Sequence, residues 1–196
     1  AGMVTDAIHG KARIIEVSPQ RVRRAIDRGY VAIVAGFQGV SKESNDITTM
    51  GRGGSDTTAV ALAAALGADV CEIYTDVDGI MTADPRVVEK ATILQQISYA
   101  EVCQMAHNGA KVIHPRAVEI AMSSNVPLIV KSTFSEAPGT LITNERSAGA
   151  LGSDVAISDN MASGVASLSD IAQFRIALNP EDMSAGRKLF EDLAAA

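Results

Sequence analysis

Residues 57–66 read TTAVALAAAL, a helix-length run with almost no polar side chain on any face. Such a helix is stable only where other elements cover it all round, so the chain must fold in layers. Gly67 stands where the helix would stop. Apolar, β-rich runs flank it: YVAIVAGF at residues 30–37 and VCEIYT at residues 70–75. Continuous apolar strands belong to sheets covered on both faces, and their alternation with helices predicts an α/β fold with a largely parallel sheet.

The rest of the chain extends this pattern. Residues 19–28 read as a helix, with Ser18 as N-cap, Pro19 at the first helical position and Gly29 as the stop. A polar loop is expected over 38–50. Ser98 and Glu101 form a capping-box pattern that opens a helix through His107. A further helix is expected over 115–124, ended by Asn125, and a strand over 126–133. Residues 147–160 are small and polar and read as a linker. Beyond it, residues 171–178 alternate like a half-buried strand. A helix over 184–195 would place Leu189, Phe190 and Leu193 on one face. One strand and one helix bury too little to stand alone.

Composition narrows the function classes. Seventeen Lys and Arg against 23 Asp and Glu give a formal charge of -6, unsuited to non-specific nucleic-acid binding. No apolar stretch is long enough to cross a bilayer, and residues 1–6 show no signal-type run. Two cysteines, Cys71 and Cys103, supply no disulfide framework and no Cys-x-x-Cys pair. Both are read as core residues, and a cytoplasmic protein is expected.

Three clusters carry chemistry. In Gly51-Arg52-Gly53-Gly54-Ser55-Asp56 the glycines let backbone amides approach a ligand at a helix N-terminus. Arg52 suits a carboxylate or phosphate, and Ser55 or Asp56 is placed to cap the helix. No Gly-Lys-Ser/Thr follows, so this is not a Walker loop, and Asp56 stands where a dinucleotide fingerprint needs its third glycine. The second cluster runs from Thr75 and Asp76 through Asp78-Gly79 and Met81 to Thr82-Ala83-Asp84-Pro85-Arg86. It starts at the carboxyl end of an expected strand, where open α/β sheets hold their ligands. Asp76 and Asp78, without a nearby histidine, are read as no protein-only metal site; magnesium entering with a nucleotide fits better. In the third, Gly109-Ala110-Lys111, an ammonium between two helices is placed to reach a phosphate. His114 bounds a helix, and His9, His107 and His114 show no catalytic spacing.

Taken in order, GFQG at 36–39, GRGGSDTTA at 51–59, YTDVDGIMTADPR at 74–86 and GAKVIHPRA at 109–117 resemble the bacterial aspartokinases over about residues 9–143. Uridylate and acetylglutamate kinases share the fold but are not expected to carry GRGGSDTTA. The resemblance implies an amino-acid-kinase αβα sandwich and transfer of the ATP γ-phosphoryl group to the side-chain carboxylate of L-aspartate. Arg52, Gly53, Gly54 and Ser55 would bind aspartate. Asp56 and Lys111 would be catalytic. Thr75, Asp76, Met81, Thr82, Ala83, Asp84, Pro85, Arg86 and Lys111 would hold ATP with its magnesium. From about residue 163 the chain resembles the opening of an ACT regulatory domain, which implies feedback by lysine or threonine and a homo-oligomer.

The family's Lys-x-Gly-Gly motif does not occur in the 196 residues. The expected organisation is the nucleotide-binding part of a catalytic domain at 1–146, a linker at 147–160 and a partial ACT unit at 161–196. Little kinase activity is expected of this piece alone, and part of its apolar content is expected at the surface. The alternatives are a non-catalytic nucleotide- or amino-acid-binding regulatory module and another amino-acid kinase, such as a uridylate kinase.

Overall fold

The structure, a computed structural model, describes residues 2–144, 162–169, 171, 186–188, 190, 191 and 194. Eight strands and four helices are defined within them. The first sheet holds β1 (Gly2–Thr5), β2 (Ile14–Ser18), β3 (Gln38–Ser41) and β4 (Ile47–Thr49) in the order β2-β1-β3-β4. The second holds β5 (Cys71–Thr75), β6 (Gln96–Ser98), β7 (Leu128–Ser132) and β8 (Thr140–Thr143) in the order β5-β7-β8-β6. The helices are α1 (Gln20–Ile26), α2 (Gly54–Leu66), α3 (Tyr99–His107) and α4 (Pro115–Ser124).

The α/β class is as expected, but the sheets are mixed rather than largely parallel. β1–β3, β5–β7 and β6–β8 are parallel, whereas β1–β2, β3–β4 and β7–β8 are antiparallel. The polar loop expected over 38–50 is a hairpin. Val40 pairs with Ile47, Asn45 takes a left-handed φ of 61°, and Ser41 Oγ accepts the Glu43 and Ser44 amides. β-Branched residues on two short arms and a turn that satisfies its own amides outweigh the polar composition.

The strand expected over 30–37 is absent: residues 30–36 form no ladder, and Val31 and Ile33 are 93% and 97% exposed. Strand propensity needs a partner to pair with, and no described strand lies alongside. The segment is tied down at its two ends: Tyr30 donates its amide to the Ala25 carbonyl, and Phe37 donates its amide to Thr58 Oγ1 and accepts that of Met50.

Helix ends follow local chemistry. Ser98 accepts the Glu101 amide while the Glu101 carboxylate accepts that of Ser98, the capping box expected of this pair. Gly67 (φ 66°) ends α2 and Asn125 (φ 53°) ends α4, both left-handed. Upstream, Pro19 rather than Ser18 is the N-cap of α1, because Ser18 still belongs to β2 and donates its hydroxyl to Glu16. The linker over 147–160 lies outside the described residues, as does the strand over 171–178 apart from Ile171. Within the helix expected over 184–195, residues 186–188, 190, 191 and 194 are helical.

One core cluster packs α2, α3 and α4 on the second sheet, with Val60, Ile97, Tyr99, Val118, Leu128, Val130 and Ile142 almost wholly buried. No residue of the apolar run over 57–66 is exposed. Two buried hydroxyls complete the core. Tyr99 donates to the Val126 carbonyl at 2.6 Å, and Thr140 Oγ1 donates to the Leu94 carbonyl at 2.6 Å while accepting the Ile80 amide at 2.8 Å. Thr140→Val would strand both backbone groups. It should cost about 1–3 kcal/mol in urea unfolding, and Ser98→Ala about 0.5–2 kcal/mol.

Candidate functional site

The glycine loop is shaped by two left-handed glycines. Gly51 has φ 73°, and a Cβ there would lie 2.5 Å from the Gly10 carbonyl oxygen. Gly53 has φ 70° and is the N-cap of α2, with no side-chain cap. Neither Ser55 nor Asp56 therefore caps the helix as expected. A glycine is required because a Cβ on Gly53 would lie 2.2 Å from His114 Cγ and 2.4 Å from its Cδ2. Asp56 turns its carboxylate to the His114 amide at 3.4 Å, and His114 in turn caps α4, its Nδ1 accepting the Arg116 amide at 3.3 Å. Two helix N-termini, each carrying partial positive charge, are thus pinned together. Arg52 beside them is exposed and forms no hydrogen bond or ion pair to a described residue. That leaves its guanidinium available to an anion.

The second cluster leaves the carboxyl end of β5. Thr75 Oγ1 donates to Asp76 at 3.1 Å, and Asp78 accepts from Ser135 at 2.5 Å. Gly79 allows the close approach of the segment to Thr140. Met81 then bridges to Ile93, and the Thr82 and Thr92 amides are held by the Thr92 carbonyl and Thr82 hydroxyl. Asp84 takes a two-pronged ion pair from Arg86 through Nε and a terminal nitrogen, at 3.0 and 2.7 Å. Hydrogen bonds from the Arg86 side chain and amide hold its carboxyl down to about 2, with Lys111 adding a weaker pull. Lys111 is exposed and has no ion pair of its own among the described residues.

The third loop therefore joins the other two: His114 touches Gly53 and Asp56, and the charge of Lys111 reaches Asp84. Arg86, expected to be available for phosphate oxygens, is committed to Asp84, although its side chain is 85% exposed. Ala83 is half-buried, and Pro85 is exposed in the turn between them. Among the described residues no three His, Cys, Asp or Glu side chains converge as a metal site. Cys71 and Cys103 are free thiols raised above their ordinary range, chiefly by burial, which suits packing rather than nucleophilic chemistry.

Two neighbours lie outside the three clusters singled out in the sequence. Phe37 takes φ 71° and lies so close to Gly54 that a Cβ there would be 2.9 Å from its ring. Residues 163–168 lie on the second and third clusters. Val165 donates its amide to the Thr82 carbonyl at 2.8 Å, Ser163 hydrogen-bonds Glu101, and Gly109 faces Ser167 and Leu168. The motif GFQG marked the first; residues 163–168, read as the opening of an ACT-like unit, carried no signal of a contact with the site.

The model of the amino acid kinase family matches residues 2–132. The chain belongs to the amino acid kinase family. Aspartokinase from Corynebacterium efficiens is 50% identical over all 196 residues, which span 45% of that protein. The chain thus covers about half the length of the curated relatives it matches. The structure of E. coli aspartokinase III in complex with aspartate and ADP superposes with a TM-score of 0.68 at 40% identity, covering 74% of this chain and 33% of that one. The same enzyme in complex with lysine and aspartate gives a TM-score of 0.64, again at 40% identity with 74% and 33% coverage. Amino-acid-kinase architecture is therefore the fold, and the three clusters lie in the 74 to 117 and 51 to 59 segments matched by the family model.

Two outcomes test this geometry. Gly53→Ala should destabilise the chain by more than the roughly 1–2 kcal/mol of a left-handed non-glycine residue, since the His114 ring must also move; thermal unfolding measures it. The Asp84 carboxyl carbon should titrate near 2 by NMR. Because its folded value lies below the ordinary one, the Asp84–Arg86 pair persists above about pH 4 and is lost as pH falls through about 2. Arg86→Gln should move that midpoint upward.

Proposed function

We propose that the chain is part of an aspartokinase. The observation that carries this reading is Arg52, without a hydrogen bond or ion pair to any described residue, on a glycine loop between two pinned helix N-termini, in a chain 50% identical to an aspartokinase over all 196 of its residues. In the proposed reaction a side-chain carboxylate oxygen of L-aspartate attacks the γ-phosphorus of ATP. The bond from that phosphorus to the β,γ-bridging oxygen breaks, releasing ADP and leaving 4-aspartyl phosphate. Such transfer needs positioning and charge neutralisation more than covalent help from the protein.

Arg52 binds an aspartate carboxylate in this reading, with Gly53, Gly54 and Ser55 offering backbone at close range. Asp56, through the His114 amide, fixes the loop against the third cluster. Thr75, Asp76, Met81 and the segment from Thr82 through Ala83, Asp84 and Pro85 to Arg86 line the nucleotide, and Lys111 reaches its phosphates. Magnesium would enter with the nucleotide, held by its phosphate oxygens, as this ion usually is in kinase sites. Feedback by lysine or threonine through residues 161–196, a homo-oligomer and a cytoplasmic location belong to the same reading. With no Lys-x-Gly-Gly among the 196 residues, we assign this chain by itself nucleotide binding and little turnover.

Calorimetric titration with ADP and magnesium should show saturable binding that weakens about tenfold or more in Lys111→Ala, a change of about 1.4 kcal/mol. In a longer protein containing this segment, Arg52→Ala should lower kcat/KM for aspartate by roughly two orders of magnitude, the scale of losing one charge-stabilising donor. Nucleotide binding should survive that change. Unchanged aspartate kinetics would remove Arg52 from the substrate site, and binding of lysine or threonine without any nucleotide binding would favour a regulatory module.

A further inference from the structure

A cavity of about 410 Å³ opens at the first turns of α2 and α4, next to the glycine loop and His114, walled by Arg13, Ile14, Thr57, Arg116, Glu119 and Ile120. It contains none of Arg52, Asp76, Asp84 or Lys111. Its size is that of a small-ligand pocket, and two isoleucines with a few converging charges match the usual lining of one.

The two guanidiniums arrive from distant parts of the chain. Arg13 precedes β2, and its backbone is clamped by Asp6, which takes the Arg13 amide at 3.1 Å and donates its own amide to the Arg13 carbonyl at 3.1 Å. Arg116 is in the first turn of α4 and donates to the carbonyl of Ala12, one residue from Arg13, at 3.5 Å. Both residues are therefore placed by backbone contacts. Neither guanidinium forms an ion pair with Glu119 or with any other described carboxylate. Thr57 spends its hydroxyl on the Gly53 carbonyl at 2.8 Å, so the charged groups dominate the polar chemistry of the cavity. Two positive charges face one negative charge, and arginine forks match the paired oxygens of carboxylates and phosphates.

We propose that this cavity binds a small oxyanion, a carboxylate- or phosphate-bearing metabolite, gripped by Arg13 and Arg116. The inference does not rest on the kinase reading, since it uses none of the residues assigned to aspartate or nucleotide. Glu119 sets a limit on affinity by repelling the anion, so its neutralisation should strengthen binding.

The test is an NMR titration of the 196-residue chain with succinate and, separately, with inorganic phosphate, following the arginine Nε–Hε signals. The Arg13 and Arg116 signals should shift saturably together, and the tighter of the two probes identifies the preferred oxyanion. Arg13→Gln, which replaces an exposed guanidinium by a neutral amide without touching the Arg116–Ala12 contact, should weaken binding at least tenfold. Arg52→Gln should leave it unchanged, and Glu119→Gln should tighten it a few-fold. The proposal fails if neither probe shifts the two signals saturably. It also fails if Arg52→Gln abolishes binding while Arg13→Gln does not, because the anion would then sit on the glycine loop.

Discussion

The contact of Gly53 with the His114 ring organises everything around the site. It brings the N-terminus of α2 against that of α4, and only a residue without a Cβ, in a left-handed conformation, can make it. His114 serves the contact with three groups at once: its ring faces Gly53, its amide meets Asp56 and its Nδ1 caps α4. The apolar faces of α2 and α4 continue the seam into the core through Val60, Ala117, Val118 and Ala121. The third loop is thereby fixed beside the glycine loop, and Lys111 within it comes into electrostatic range of Asp84.

Charge is distributed unevenly over this frame. The chain carries a net -6, yet Arg52 and Lys111 form no ion pair among the described residues and stand beside two helix N-termini. Arg86, by contrast, is neutralised by Asp84. An anion entering the site meets the unpaired cations first, and drawing Arg86 into its coordination would mean breaking a two-pronged pair. Such an arrangement concentrates positive potential locally in an acidic protein, as a site for charged substrates requires.

What could be read from the sequence was what nearest neighbours decide. Ser98 with Glu101 fixed the start of α3, Asn125 the end of α4 and Gly67 the end of α2, because each cap is satisfied within a few residues. The glycine loop was visible for the same reason. Long-range pairing was not. β3 and β4 are four and three residues long and hide in a polar segment, while residues 30–36 have the composition of a buried strand without a described partner. Nor does His114 before a proline announce that its ring covers a glycine 61 positions upstream; only the fold brings them together. The association of Val165 with Thr82 is hidden likewise, since a backbone hydrogen bond leaves no side-chain signature.

The central claim is that the second and third clusters act as one nucleotide site held against the α2–α4 seam. Titrating the chain with ADP and magnesium while following backbone amide signals tests it most directly. The account predicts that the signals of Thr75, Asp76, Thr82, Arg86 and Lys111 shift together along one binding curve. Signals from the two clusters that follow different curves, or a response confined to one of them, would contradict it.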